Sequence, residues 1–322
     1  MNFQNIPPVN TGKFYLDTAM QRAKKQVKAL TIKIKDEDKK TFIKERTRIK
    51  TINETLTKNL MFIINSFPGL DGLPEFYHEL CKNTMNIDEV KQALSTISWA
   101  PRKLDELERD FLRQIKNKNK TEILKTKKAH IGRVSSIIKR LDKKLELIEK
   151  TRRTMITFPD IKEDLYTVCI AGFPNVGKST LLKKITTSKP EIGSYAFTTK
   201  NLNTGYFKDN FEKIQVIDVP GTLNRLEKMN KVEKQAHLAI KYLANLIVYV
   251  YDLTEPYTIE EQEALHKKIK QQGKTTTIYF SKADLIKEEP IKNYIKKHEL
   301  KNATWKSEEL KKQIIQQKQE KR

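Results

Sequence analysis

The first half of the chain repeats apolar side chains at the spacing of an α-helix. In Arg133–Lys150 six apolar side chains form one stripe, and basic side chains occupy the other side. The stripe consists of Val134, Ile137, Ile138, Leu141, Leu145 and Ile148. Similar spacing predicts further helices over residues 14–31, 38–65, 85–97 and 103–127. Because a helix with one apolar stripe buries it against neighbouring helices, residues 1–157 are predicted to form an all-α helical bundle.

Short β-rich runs replace this pattern from residue 165 onwards, and helical stretches separate most of them. The runs are Leu165–Ala171, Asn203–Phe207, Lys213–Val219, Leu246–Leu253 and Thr275–Phe280. The helical stretches cover residues 178–187, 231–244 and 258–272. Strands that alternate with helices indicate a mostly parallel sheet with helices on both faces. The predicted fold is therefore a helical bundle followed by an α/β domain.

Turn-forming residues set the predicted boundaries. The segment FPGLDGLPEFY (67–77) holds two prolines and two glycines, and it predicts a turn between helices. Phe158–Asp160 predicts the passage from the bundle to the α/β domain, which then covers residues 158–305. Residues 306–322 are rich in Lys, Gln and Glu, a composition typical of a frayed helix or a disordered tail.

Several classes of protein do not fit this sequence of 322 residues. The longest apolar runs, such as Leu246–Tyr251, are far shorter than the ~20 residues of a membrane span. Two cysteines make neither a disulfide framework nor a four-ligand zinc site. The first ten residues, MNFQNIPPVN, lack the charged start and apolar stretch of a secretory signal. We therefore expect a soluble, cytoplasmic protein.

The charge is strongly basic, with 63 Lys and Arg against 40 Asp and Glu, a net charge of +23. Residues 111–140 hold 10 basic and 1 acidic side chains, and residues 21–50 hold 12 and 4. Such basic runs favour RNA as the partner of the bundle, through contacts with phosphates. The alternative is a solvated helix face in a lysine-rich protein. A membrane surface fits less well, because the bundle core already uses the apolar stripes.

A phosphate-binding loop is predicted over Gly172–Ser179, between a predicted strand and a predicted helix. Its glycines allow backbone N–H groups to surround phosphates, and the helix N-terminus adds its dipole. Lys178 is expected to reach the terminal phosphates, and the Ser179 hydroxyl is expected to bind Mg²⁺. The predicted nucleotide-binding residues in this region are Gly172, Asn175, Val176, Gly177, Lys178, Ser179 and Thr180.

Two later elements complete the predicted phosphate site. Asp218 ends an apolar strand about 40 residues after the loop, where it can hold Mg²⁺ through water, and Gly221 can offer its N–H to the terminal phosphate. Between them, Thr199 is a candidate switch residue that closes on Mg²⁺ only when a γ-phosphate is present. The alternative is that Thr199 only makes a loop polar.

The segment Ser281–Asp284 predicts the base that is bound. The Asp284 carboxylate can accept hydrogen bonds from the N1–H and the 2-amino group of guanine, whereas adenine offers neither donor. The stem of Lys282 can lie over the base. The phosphate loop therefore indicates a nucleotide, and this segment indicates GTP or GDP.

The order of these motifs resembles the translation-factor-related GTPases. GFPNVGKSTL (172–181), SYAFTT (194–199) and DVPG (218–221) are similar to the Obg branch of that class. FPGLDGLPEFYHEL (67–80) and ALSTISWAPRKL (93–104) resemble the nucleolar GTP-binding protein (Nog) family, in its short archaeal form. The resemblance covers about residues 10–285. It implies a GTPase that binds rRNA and precursors of the large ribosomal subunit during assembly.

The resemblance also implies roles for single residues. It makes Lys178, Thr199 and Gly221 the catalytic set, and Ser179, Thr199 and Asp218 the Mg²⁺ set. It implies that K⁺ can replace a catalytic arginine beside Asn175; the alternative is that Asn175 only shapes the loop.

Three positions depart from the pattern of the related GTPases. Ser281 stands where an Asn is usual, which predicts weaker nucleotide binding. Thr222 stands where many switch GTPases place a Gln, which predicts slow hydrolysis. The last guanine-binding loop, usually Ser-Ala, has no clear match, and Asn302–Thr304 is its nearest candidate.

The sequence thus predicts hydrolysis of GTP to GDP and phosphate by an assembly factor of the large ribosomal subunit, and leaves its oligomeric state open. The main alternative is an RNA-binding assembly factor with a degenerate, non-cycling nucleotide pocket. Two others are a phosphate-loop enzyme that acts on another nucleotide and a GTPase at a membrane surface.

Overall fold

A computed structural model describes residues 3–186, 191–193, 202–220, 237–254, 257–286 and 288–320. The chain divides into two compact units. The helical unit comprises Gln4–Gly72 and Met85–Ile156, and the sheet unit comprises Met1–Phe3, Leu73–Thr84 and Thr157–Arg322. Helices dominate the first, and a mostly parallel sheet with flanking helices dominates the second. The predicted fold class is confirmed.

Four long helices form the helical unit: α1 (Gly12–Lys28), α2 (Glu37–Ser66), α4 (Ile87–Ile115) and α5 (Lys120–Met155). The side chain of an Asn, Asp or Thr caps the N-terminus of each, which satisfies N–H groups that have no partner inside the helix. The stripe predicted on α5 is buried at Val134, Ile138, Leu141, Leu145 and Ile148. These side chains belong to the core of the unit.

The helix break that was predicted near Pro101 lies elsewhere. Residues 85–97 and 103–127 were predicted as separate helices, but α4 continues through Pro101, which is buried inside it. A proline removes one helical hydrogen bond, and the burial of its neighbours Ala100 and Leu104 offsets that loss. The actual break follows Ile115, where Asn117 has a φ of 59° and Asn119 caps α5.

The segment predicted as a turn contains a helix that belongs to the sheet unit. After a 3₁₀ turn at Leu70–Gly72, helix α3 runs over Glu75–Thr84. Leu73–Thr84 therefore group with the sheet, although the predicted division placed them in the bundle. The reason is side-chain burial: α3 contacts a π-helical turn at Ala239–Leu243, and four of its side chains are buried. These side chains are Phe76, Tyr77, Leu80 and Cys81.

Tyr77 fixes α3 to the segment that leads into the sheet. Its ring is fully buried, and its hydroxyl donates to the Pro159 carbonyl (2.8 Å) and accepts from the Ile161 N–H (2.9 Å). Burial raises the pKa of the Tyr77 hydroxyl, so it stays protonated and able to donate. Tyr77 is therefore a core residue of the sheet unit.

We expect Tyr77→Phe to lower the free energy of unfolding by about 1–3 kcal/mol, because it leaves a buried N–H and a buried carbonyl without this partner. Urea unfolding monitored by circular dichroism measures the change. Tyr166→Phe is the matched control, since the Tyr166 hydroxyl is buried without a hydrogen-bond partner in the described part of the chain. Equal stability of the two variants would contradict the role given to Tyr77.

In the described ranges, seven strands form one sheet in the order β2-β3-β4-β1-β5-β6-β7. β2 pairs with β3, and β3 with β4, in antiparallel fashion, and the other pairs are parallel. The strands are β1 (Tyr166–Ala171), β2 (Glu191–Gly193), β3 (Leu202–Asp209), β4 (Glu212–Asp218), β5 (Leu246–Tyr251), β6 (Thr275–Phe280) and β7 (Ala303–Thr304). The described helices after β1 are α6 (Lys178–Ile185), α7 (Ile259–Lys270), α8 (Glu288–Lys297) and α9 (Ser307–Glu320).

The segment predicted as a charged tail, residues 306–322, contains helix α9. Leu310, Ile314 and Lys318 recur at a spacing of four residues and are buried, and α9 contacts α6. The segment contains few apolar residues, so its composition did not predict a packed helix. Burial of one side of a helix needs only a few such residues. In the described ranges, no helix is both long and apolar enough to cross a bilayer.

Candidate functional site

The carboxyl ends of β1, β4, β5 and β6 meet at one edge of the sheet. β1 lies between β4 and β5, and Ile170 of β1 is opposite Asp218 of β4. In parallel sheets this edge is where loops form ligand sites. The predicted phosphate loop follows β1, and the predicted base-selecting segment follows β6. The fold therefore brings together segments that are separated by about 100 residues in the sequence.

The loop from Gly172 to Gly177 needs glycine at both ends. Gly172 has a φ of 150°, and a Cβ there would lie 2.7 Å from the Val250 carbonyl oxygen. Gly177 has a φ of 90° and immediately precedes α6. Asn175 has a φ of 63°, in the left-handed region that Asn adopts more readily than most residues. The backbone therefore turns sharply into the N-terminus of α6, as an anion-binding loop requires.

Lys178 folds back over this loop. Its side chain is buried, and its ammonium group donates to the Phe173 carbonyl at 2.5 Å. Phe173 is itself buried, and its ring lies 4.3 Å from that of Tyr257. The loop thus holds a positive charge at the place where terminal phosphates were predicted to bind.

Ser179 and Asp218 are in direct contact. The Ser179 hydroxyl donates to Oδ2 of Asp218, and the Asn203 side-chain amide donates to the same oxygen at 3.4 Å. Burial raises the pKa of the Asp218 carboxyl, while the Ser179 hydrogen bond and the charge of Lys178 act in the opposite direction. A hydroxyl and a carboxylate side by side are hard oxygen donors, so the residues present fit Mg²⁺.

A cavity of about 260 Å³ lies between the start of α6 and the end of β6. Asp284 is exposed at its rim, and Gly177 and Ser281 meet within it. A Cβ on Gly177 would lie 3.4 Å from that of Ser281, so the two segments are in contact range. The lining residues are Asn175, Gly177, Thr180, Leu181, Lys184, Tyr279, Ser281, Lys282 and Asp284.

Ser281 and Lys282 have partners that the sequence did not reveal. The Ser281 hydroxyl donates to the Tyr251 carbonyl at 3.1 Å. The Lys282 ammonium forms an ion pair with the buried Asp252 at 2.5 Å. The Gln262 side chain accepts a hydrogen bond from the Asp252 N–H and donates one to the Asp252 carbonyl. Asp252 was missed as a site residue, although its position directly after a buried strand is a usable signal. The ion pair fixes the direction of the Lys282 stem beside the cavity.

Some predicted residues lie outside this arrangement. Thr199, Gly221 and Thr222 fall outside the described residues. Asn302–Thr304 does not line the cavity among the residues described: the Asn302 carbonyl accepts from Ile278, and Ala303–Thr304 forms the edge strand β7. Val176 is buried within the loop. Leu181, Lys184 and Tyr279 line the cavity and were not predicted.

We expect Ser281→Asn to tighten GDP binding by about two- to tenfold, the value of one added hydrogen bond. The longer amide can reach the base and the loop, whereas the Ser281 hydroxyl is bonded to the Tyr251 carbonyl. Titration with a fluorescent GDP analogue measures the affinity. Ser281→Ala separates the loss of the serine hydrogen bond from the gain of the amide. An unchanged affinity in Ser281→Asn would contradict the explanation.

Two family models and several known proteins match this chain. The NOG1 N-terminal helical domain matches residues 3–162, and the 50S ribosome-binding GTPase matches residues 167–282. An uncharacterized protein of Methanocaldococcus jannaschii is 36% identical, over 90% of this chain and 83% of that protein. Nucleolar GTP-binding protein 1 of Saccharomyces cerevisiae is 30% identical, over 90% of this chain but 46% of that protein. The chain thus spans less than half the length of the yeast relative.

Among solved structures, the G domain of the FeoB iron transporter of T. maritima is similar. It is 27% identical, with a TM-score of 0.41, and the match covers 48% of this chain and 98% of that domain.

Proposed function

The chain belongs to the Nog family of nucleolar GTP-binding proteins, and from that premise we propose that it hydrolyses GTP while it acts in assembly of the large ribosomal subunit. The observation that supports this most is the joint geometry of the sheet edge. A glycine loop with its lysine, the Ser179–Asp218 contact and the cavity with Asp284 lie on adjoining segments. Together they support binding of the phosphates, of Mg²⁺ and of guanine at this edge.

In the proposed reaction, Lys178 exchanges the Phe173 carbonyl for oxygens of the β- and γ-phosphates. Ser179 and Asp218 would hold Mg²⁺. When bound, Mg²⁺ neutralises charge on the phosphates. Water attacks the γ-phosphorus, the bond to the β-phosphate oxygen breaks, and the backbone N–H groups of the loop stabilise the charge that develops. Thr199 and Gly221, outside the described residues, are proposed to contact Mg²⁺ and the γ-phosphate.

Guanine is proposed to occupy the cavity beside Asp284, with the Lys282 stem against the base. The Lys282–Asp252 ion pair supports this position, because it keeps the ammonium away from the Asp284 carboxylate. For Asn175, the left-handed φ supports a role in shaping the loop. From the family resemblance we also propose that a K⁺ ion binds beside Asn175.

The basic face of α5 is the proposed rRNA contact. Six basic side chains on this face are exposed, and within the described part of the chain none has a carboxylate partner within 4 Å. They are Lys125, Lys128, Arg133, Lys139, Arg140 and Lys143. By contrast, basic residues near the start of α2 pair with acids of the same helix, as Lys40 does with Glu37. The uncompensated charge on α5 favours contact with phosphates.

Sedimentation with large ribosomal subunits and their precursors tests the proposal. We expect co-migration at physiological salt with a non-hydrolysable GTP analogue and much less with GDP. Lys125→Gln/Lys128→Gln/Lys139→Gln should weaken it in both states. Equal binding with both nucleotides would instead support the RNA-binding factor with a non-cycling pocket, the alternative that Ser281 motivates. GTP turnover without binding to any subunit would remove the ribosomal role and keep the GTPase.

A further inference from the structure

The hairpin of β3 and β4 places like charges directly opposite each other. In the antiparallel register Lys208 faces Lys213, and Asp209 faces Glu212. Directly opposed like charges destabilise a sheet. Because successive residues of a strand point to opposite faces, the acidic pair and the basic pair lie on opposite faces of the hairpin.

The sheet unit supplies a counter-charge for the acidic pair. Lys318 of α9 is buried, and its ammonium lies 3.3 Å from a carboxylate oxygen of Asp209 and 2.7 Å from one of Glu212. One lysine therefore bridges both acids. The repulsion on that face of the hairpin is offset within the fold.

Among the described residues, the basic pair has no such counter-charge. Lys208 and Lys213 are both exposed, and neither lies within 4 Å of a carboxylate in the part of the chain that the structure describes. Further along the same face, a third lysine, Lys162, has its ammonium 5.9 Å from the centre of the Tyr206 ring. The face that carries Lys208 and Lys213 is therefore suited to an anion from outside the fold.

The tip of the hairpin presents an aromatic ring. Phe211 is 102% exposed, next to Asn210, whose φ of 53° forms the turn. The ring gains no burial from folding, and single exposed apolar residues are common. The turn that carries the ring follows the Asp209–Glu212 pair, which Lys318 neutralises, and the lysine pair lies one register position further along the two strands. A ring for base stacking beside cations for phosphates is the combination that binds single-stranded nucleic acid.

We propose that the β3–β4 hairpin is a second RNA contact, located on the sheet unit. Phe211 stacks on an unpaired base, and Lys208 and Lys213 bind the flanking phosphates. An acidic protein segment would satisfy the lysines but would not use the exposed face of the ring. This contact does not depend on the proposed contact at α5, which lies in the helical unit.

Fluorescence anisotropy with the full chain tests the hairpin. The probe is a single-stranded, fluorescein-labelled RNA of 15 nucleotides and mixed sequence, titrated at several salt concentrations. We expect Phe211→Ala to weaken binding at least about fivefold with an unchanged salt dependence. Lys208→Gln/Lys213→Gln should reduce the slope of log affinity against log salt by about 1.4, since each phosphate contact on a single strand contributes about 0.7.

Two comparisons separate this effect from charge loss and misfolding. Lys296→Gln/Lys297→Gln removes the same charge from exposed positions on α8 and should leave the slope much closer to that of the wild type. The melting temperature of Lys208→Gln/Lys213→Gln should equal or exceed that of the wild type, because the repulsion is gone. Cross-linking with 4-thiouridine RNA should modify the peptide that contains Phe211.

The outcomes that overturn the proposal are distinct. Unchanged affinity and slope in both hairpin variants, with weaker binding in the α5 variant, would remove the hairpin contact and keep the contact at α5. If the hairpin variants bind the RNA probe as the wild type does but sediment less with ribosomal subunits, the hairpin contacts a protein partner instead of RNA. No RNA binding by the wild-type chain would remove both contacts.

Discussion

Replacing Lys178 with alanine is expected to slow single-turnover GTP hydrolysis by at least about 100-fold, the usual cost of losing one charge-stabilising donor. The variant should also bind GDP more weakly. The Lys178 ammonium is buried against its own loop, where the backbone of Gly172–Gly177 turns around the proposed phosphate site. Rapid chemical quench of the reaction, with excess protein over GTP, measures the GDP formed and so reports the hydrolysis step separately from product release.

Lys183→Ala is the matched control for this experiment. Lys183 is an exposed lysine of the same helix, and it does not line the cavity. Its removal should leave hydrolysis within a factor of two or so of the wild type, because an exposed charge is screened by solvent. Circular dichroism should show that both variants are folded. Wild-type turnover by Lys178→Ala would disprove the proposed phosphate site.

Changing Asp284 to asparagine should exchange the base that is preferred. We expect GDP affinity to fall at least about 100-fold, because a carboxylate that accepts two hydrogen bonds from guanine is lost. Xanthine carries an oxygen where guanine has its 2-amino group, so the amide of the variant can donate to it. Competition of GDP, xanthosine diphosphate and ADP against a fluorescent GDP analogue measures the three affinities.

Glu289→Gln removes the same charge from a nearby exposed position on α8 and should not alter the preference. It therefore separates a general effect of charge from recognition of the base. If Asp284→Asn bound GDP as tightly as the wild type, guanine could not lie against Asp284. Tighter binding of ADP than of GDP by the wild type would favour an enzyme that acts on another nucleotide.

The phosphate loop and the strands could be predicted because their signals are local. Gly172 and Gly177 have positive φ angles that favour glycine, and the strand before them is a β-rich run. The base-selecting segment was found by its position after such a run. The long helices of the helical unit followed from spacing alone. The break predicted near Pro101 was wrong, because burial of neighbouring side chains kept α4 continuous.

Other features depend on which distant segments meet. Spacing predicts that a helix has an apolar side, but it does not identify the neighbour that covers it; this is why α3 groups with the sheet unit and α9 docks on α6. Likewise, composition gives the number of charged side chains but does not show which of them form ion pairs.

The sequence by itself determined the order of the long helices and of the five longer strands, the anion-binding loop and the excess of positive charge. Only the tertiary structure decided that Lys282 is paired with Asp252 and that Lys318 neutralises Asp209 and Glu212. It also decided that Lys208 and Lys213 face each other without a carboxylate partner among the described residues. The physical reason is that ion pairing depends on distances of a few ångströms between residues that the chain separates by tens of positions.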